Sequence, residues 1–107
     1  MPEIIVIRWT PFALRSLDEI YNFIVQEARS TSPAEKFIGK VFNRTDQLKY
    51  FPLSGQEEVF LAQKGIKCHY LVEGNYKIIY EYMDDKKLIV ILDVFNTSRN
   101  PENILKR

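Results

Sequence analysis

Cysteine is nearly missing from this sequence: Cys68 stands alone, so no disulfide can close within the chain. Histidine is just as scarce, and with His69 as its one representative no Cys/His cluster of zinc-ligand spacing exists. An excess of charge of one sign is lacking too. Lys and Arg number 15 and Asp and Glu 14, a net charge of +1, so the overall field exerts no broad pull toward nucleic acid or membrane. Any anion-binding role must therefore come from a local cluster. No apolar run at the N-terminus is long enough for a signal peptide or a membrane span, which makes the cytoplasm the expected location. Linkers, internal repeats and low-complexity segments are absent, and the expectation is one domain over residues 1–107, with no metal and no cofactor. What is present is a folding composition: 46% hydrophobic, 13% aromatic and 27% charged, far from the disordered regime. A chain of 107 residues can bury a core without a disulfide or a metal.

Ile4-Ile5-Val6-Ile7 is a β-branched run, read as a first strand ending near Trp9. Thr10-Pro11 has the chemistry of a helix start, with Thr as N-cap and Pro at the first helical position. Ala13, Leu17, Ile20, Ile24 and Ala28 then recur at helical spacing. Arg29-Ser30-Thr31 breaks that pattern, and Ser32, Pro33 and Glu35 restart it as a capping box. Phe37, Ile38, Val41, Leu48 and Phe51 form the inner side of this second helix, which Pro52 ends. The short break implies an antiparallel helical hairpin. Residues 53–64 read as a loop, followed by strands over 66–72, 76–83 and 88–95. Gly74-Asn75 is a tight hairpin signal between the first two, and residues 84–87 join the last two. The expected class is α+β: an N-terminal strand, a two-helix antiparallel hairpin, then a three-stranded antiparallel meander. The helices cover one face of a three- or four-stranded antiparallel sheet. Leu17, Ile24, Phe37, Val41, Ile78 and Ile91 are expected in the core.

The candidate site follows from the hairpin. Lys77 lies near the start of one strand and Arg99 just past the end of the next, so antiparallel pairing brings both to one end of the sheet. Each has a plain structural alternative: Lys77 pairing with Glu73 or Glu81, and Arg99 with Glu102. Tyr76, Tyr80 and Tyr82 share one strand face, which is more often core than a stacking platform. His69 reads as a surface or hydrogen-bonded histidine, Glu57-Glu58 as solvated, and Cys68 as a small buried residue in a strand.

Several pieces in order carry a family resemblance. They are the first strand, Trp9-Thr10-Pro11 leading into a helix, a second helix ending Phe51-Pro52, Gly74-Asn75-Tyr76-Lys77-Ile78-Ile79-Tyr80, and Val94-Phe95 before Arg99-Asn100-Pro101. The chain resembles the RelE/ParE toxin superfamily over nearly its whole length, and its ParE branch most. That resemblance implies the toxin of a bacterial type II toxin–antitoxin pair, a plasmid-stabilisation protein that is neutralised by, and oligomerises with, a cognate antitoxin. ParE members poison DNA gyrase, whereas RelE members cut messenger RNA on the ribosome. Metal-free RNA cleavage needs a group to activate the 2′-hydroxyl, a donor to the leaving oxygen and cations for the phosphorane. Lys67, Lys77 and Arg99 are the cations available, with Lys64 and His69 nearby in sequence. Against this, Asn96 stands where many relatives show His, and Lys106-Arg107 closes the chain without an aromatic. The reading favours a gyrase inhibitor over a ribosome-dependent endoribonuclease or an inactive antitoxin-binding relative. Lys67, Lys77, Tyr80, Asn96 and Arg99 are its active-surface candidates.

Overall fold

The protein is described by a computed structural model over residues 4–106; residues 1–3 and 107 of the expected domain lie outside the described part. Strand β1 (Val6–Trp9) leads into helix α1 (Pro11–Ala28) through Thr10. The Thr10 hydroxyl accepts from the Ala13 amide at 3.0 Å and donates to the Ile91 carbonyl at 2.9 Å, so one side chain both caps the helix and ties it to the sheet. Arg29 closes α1 in the left-handed conformation, and helix α2 (Ser32–Asp46) follows at once.

The start of α2 differs from expectation. Thr31, not Ser32, occupies the cap position, and its backbone is already helical with no side-chain cap bond. Ser32 is therefore inside the helix, and its amide donates to Ser30 Oγ at 3.3 Å. The other end also falls earlier: α2 tightens into a 3₁₀ turn at Gln47–Lys49 that seats Leu48 in the core. The chain leaves the helix there, so Phe51 no longer continues the inner stripe and is 66% exposed.

The segment read as a loop holds a short edge strand β2 (Gln56–Glu57) and a helix α3 (Val59–Gln63), capped by the Glu58 carboxylate, which accepts from the Phe60 amide. Then come β3 (His69–Glu73), β4 (Tyr76–Met83) and β5 (Leu88–Asn96). β3 starts later than expected, which leaves Cys68 buried just outside it. Gly74 has φ +58°, the positive value that its two-residue turn requires.

The sheet order is β1-β5-β4-β3-β2. The meander is as expected, but the whole is a mixed sheet of five strands, because β1 joins the outer edge of β5 in parallel. On one face α1 and α2 bury Ala13, Leu17 and Val41 against Ile78, Ile89 and Ile91. Ile24, expected in this core, is only half-buried, because the buried positions of α1 end at Leu17 and its last turns stand at the core's margin; Phe37 of α2 is half-buried and packs against the core from its edge, its ring 4.9 Å from that of Tyr76. The second face is covered as well, not bare. There Leu61, Cys68, Ile79, Phe95 and Ile104 form a smaller core. A bulge shifts the alternation of β5 between the two faces. Ile79 opposes Asp93 and Tyr80 opposes Ile91, so Leu92 is the extra residue and β5 changes its alternation there.

Candidate functional site

Lys77 points to the second face of the sheet, opposite Phe95 in the ladder. Its ammonium lies 3.0 Å from Glu58 Oε2 and 4.2 Å from the centre of the Tyr70 ring. The partner is thus neither Glu73 nor Glu81. Glu58, read as solvated, is a buried carboxylate with 3% of its side chain exposed. One of its oxygens caps α3 and the other accepts from Lys77, so the pair fastens α3 to the sheet.

Arg99 is exposed, with its guanidinium 5.4 Å from the centre of the Phe95 ring. Phe95 therefore links the two cations, being cross-strand partner to one and platform to the other. They serve different surroundings, however: Lys77 is held by Glu58 and Tyr70, while Arg99 lines a cleft beside α1. Asn96 lines the same cleft, and its side-chain oxygen accepts from the Ser98 amide and hydroxyl, shaping the turn that presents Arg99. Lys67 is exposed and lies just before β3.

Tyr80 is a correction. It is fully buried, its hydroxyl accepts from the Gly55 amide at 3.0 Å, and burial raises its pKa above the ordinary phenol value, with the Gly55 bond opposing. It lies beneath the surface, not on it, because its partner position opposite Ile91 turns the ring toward the helices. The His69 ring stacks on Tyr80 at 5.8 Å.

The cleft measures about 480 Å³. Ile20 and Phe23 of α1 form one wall, Tyr76 and Val94 of the sheet another, and Glu19, Arg99 and Lys106 bring charge to it. At its base lies Asp93, 3% exposed. Asp93 accepts from the Ser16 hydroxyl at 2.6 Å and from the Leu105 amide at 3.1 Å. Leu105 has φ +64°, a backbone state that a leucine adopts only when something holds it. The buried carboxylate thus anchors the C-terminal segment and sets the position of Lys106. Asp93, Ser16 and Lys106 were missed in the sequence. The available signal was a lone acid inside the apolar run LIVILDVFN of β5, where a carboxylate needs dedicated donors. Among the described residues, no three His, Cys, Asp or Glu side chains converge to hold a metal, and no helix is long and apolar enough to cross a membrane.

A strand, a helical hairpin and a meander closed by the first strand make an α+β domain of the RelE/ParE-like kind. The family model described as the ParE toxin of type II toxin–antitoxin system, parDE, matches residues 7–101, and the chain belongs to that family. A comparison with curated proteins gives no match. The family makes this chain the toxin of a type II pair, with an antitoxin as its partner.

Proposed function

We propose that this toxin acts by binding DNA gyrase and blocking its cycle, in the cytoplasm, and that its antitoxin releases it by folding a C-terminal segment over the toxin surface. The observation that carries this reading is the state of Lys77. A metal-free nuclease draws on a cation facing the scissile phosphate and on a base beside the 2′-hydroxyl. Lys77 faces the buried carboxylate of Glu58 at 3.0 Å, and the His69 ring lies against Tyr80. Both side chains are engaged in holding the fold. Arg99, by contrast, is exposed at a cleft of mixed polar and apolar lining that includes Ile20 and Phe23, which suits a protein partner.

The test is purified toxin in two assays, gyrase supercoiling and cleavage of ribosome-bound message, each with and without the antitoxin encoded beside it. The expected result is loss of supercoiling, restored by antitoxin, with intact message. Cut message with normal supercoiling would make the chain a ribosome-dependent endoribonuclease. Neither effect, with antitoxin still bound, would make it an inactive relative. Arg99→Ala should abolish toxicity and leave the melting temperature and antitoxin binding unchanged, since surface substitutions usually move stability by only about 0.5 kcal/mol.

A further inference from the structure

We propose that this toxin forms a two-fold dimer through the part of its second sheet face that the smaller core leaves uncovered, with Arg8 of each copy meeting Glu81 of the other. That surface lies toward the opposite end of β4 and β5 from Lys77 and Phe95, so it is separate from the candidate site.

The first observation is the uncovered face. Ile7 and Trp9 pack on the helix-side core, so strand alternation turns Val6 and Arg8 to the other side. In the ladder Val6 lies in a row with Leu88 and Met83, and Arg8 in a row with Val90 and Glu81. All six keep contact with solvent, although β5 has a strand on each side. The smaller core stops short of them. It is built from Leu61, Cys68, Ile79, Phe95 and Ile104, and neither buried cluster includes Val6, Leu88, Val90 or Met83. Contiguous apolar surface on a sheet face is a place for a partner. The second observation is the charge on it. Arg8 is exposed and Glu81 half-buried, and neither forms an ion pair with another described residue. The turn beyond Met83 adds Asp84, Asp85, Lys86 and Lys87, whose charges cancel, and Asp84 and Lys87 pair with each other at 2.8 Å. The patch is therefore neutral, with a cation on its β1 side and an anion on its β4 side.

A second copy of the chain is the occupant that this pattern fits. Strands lie about 4.8 Å apart, so Arg8 and Glu81 flank Val90 at equal distances, roughly 10 Å from one another. A half-turn about an axis parallel to β5 and above Val90 exchanges the two sides of the patch. It sets Arg8 over the copy's Glu81, Glu81 over its Arg8, and Val6 over its Met83, while Leu88 and Val90 meet their own counterparts. Every contact then joins opposite charges or apolar groups. The strands of the two sheets run aligned, the common arrangement of sheets packed about 10 Å apart. A nucleic-acid backbone meets no net cation here. Two rows on three strands offer less than the roughly 800 Å² per partner of a standard stable interface, so the dimer is weak and dissociates on dilution.

The experiment is sedimentation equilibrium of purified toxin over a concentration series. The apparent mass should rise from one chain to two and no further. Methyl signals of Val90 and Met83 should shift over the same range, while those of Leu14, on α1, stay fixed. Arg8→Glu and Glu81→Arg each set like charges together at two symmetric contacts and should weaken the dimer about tenfold or more. Mixed one to one, these two variants should pair with each other as well as the parent pairs with itself, because every charged contact again joins opposite signs. Lys36→Glu, on α2, is the control and should associate as the parent does. Melting curves confirm that each variant folds, and if Glu81→Arg does not, the methyl shifts of the parent decide. A parent that stays one chain at every concentration overturns the dimer. If the Val90 and Met83 signals then move on adding antitoxin, the face belongs to the antitoxin. Growth past two copies overturns the face and assigns the contact to the open β1 edge. Single variants that associate like the parent, or a mixture that associates no better than either variant alone, overturn the meeting of Arg8 with Glu81.

Discussion

Glu58 and Lys77 show how one contact decides what a residue is for. A carboxylate with 3% exposure and an ammonium with 25% meet at 3.0 Å, and the carboxylate also caps α3. Removing the cation alone strands a buried charge. Lys77→Met should therefore destabilise the domain by about 3 kcal/mol, the lower end of the range for broken buried pairs because Lys77 keeps some solvent. Adding Glu58→Gln to it should recover most of that loss, since the amide oxygen retains the cap on Phe60. Equilibrium denaturation of both variants checks this, and equal losses would show that the pair contributes through packing alone. Nothing in the sequence announced the partner, because Glu58 lies 19 positions away in a stretch without a regular apolar period. Cys68 was easier to read. Burial, with Glu58 and Glu81 adding to it, pushes its thiol up from 9.0 to about 11. Folding thus favours the protonated form. The stabilisation is complete below the ordinary value of 9.0 and is lost as pH rises through about 11. At neutral pH the native protein should resist iodoacetamide, with alkylation becoming fast only in denaturant. Rapid labelling of folded protein would mean that the site opens.

At the scale of elements, legibility follows the number of independent signals. α1 has a cap, a proline and a long apolar stripe that agree, and its start falls where those residues place it. The meander has a glycine at a turn that needs positive φ, and its register follows from that turn. α2 has a capping-box sequence whose geometry is overridden, since the short turn after Arg29 leaves Thr31 already helical. α3 is five residues long, too short for any periodicity to show. The loop before it is held by a steric fact that composition cannot reveal. A Cβ on Gly55 would lie 2.6 Å from the Tyr80 hydroxyl and 2.7 Å from the Tyr70 carbonyl oxygen. The glycine permits close approach of the loop to the sheet, and its amide bonds to Tyr80. Gly55→Ala should push the loop outward, break that bond and cost about 1–3 kcal/mol. The Tyr80→Phe background tests the mechanism: with the hydroxyl gone, the same Gly55→Ala change should cost less. An undiminished cost would put the strain on the Tyr70 backbone.

For the whole molecule, what the sequence conceals is the order of strands far apart in the chain. Parallel pairing of β1 with β5 joins Val6 to Leu88 and Trp9 to Ile91, contacts that no local pattern encodes. The candidate site is hidden for the same reason, since its cleft gathers residues from α1, β4, β5 and the C-terminal segment. Arg99 and Asn96 were visible because they sit beside a strand end, whereas Asp93 and Lys106 reach the cleft only through the bulge and the tail anchored at Leu105. The strand order also leaves the sheet with two unlike edges. The β2 edge ends in Gln56 and Glu57, both exposed and polar, which discourages pairing with another chain. The β1 edge carries Ile4 at 82% and Val6 at 55% exposure, beside a groove lined by Trp9 and Phe42. An open, β-branched edge of this kind is a template for association. Free toxin should accordingly scatter more light as its concentration rises, and its antitoxin complex less if the antitoxin covers that edge. Val6→Lys places a charge on the edge without touching the core, because Val6 is absent from both buried clusters. It should suppress the scattering while moving stability by no more than about 0.5 kcal/mol. Persistent scattering from a folded Val6→Lys protein would assign the self-association to the exposed aromatic segment at Tyr50 and Phe51 instead.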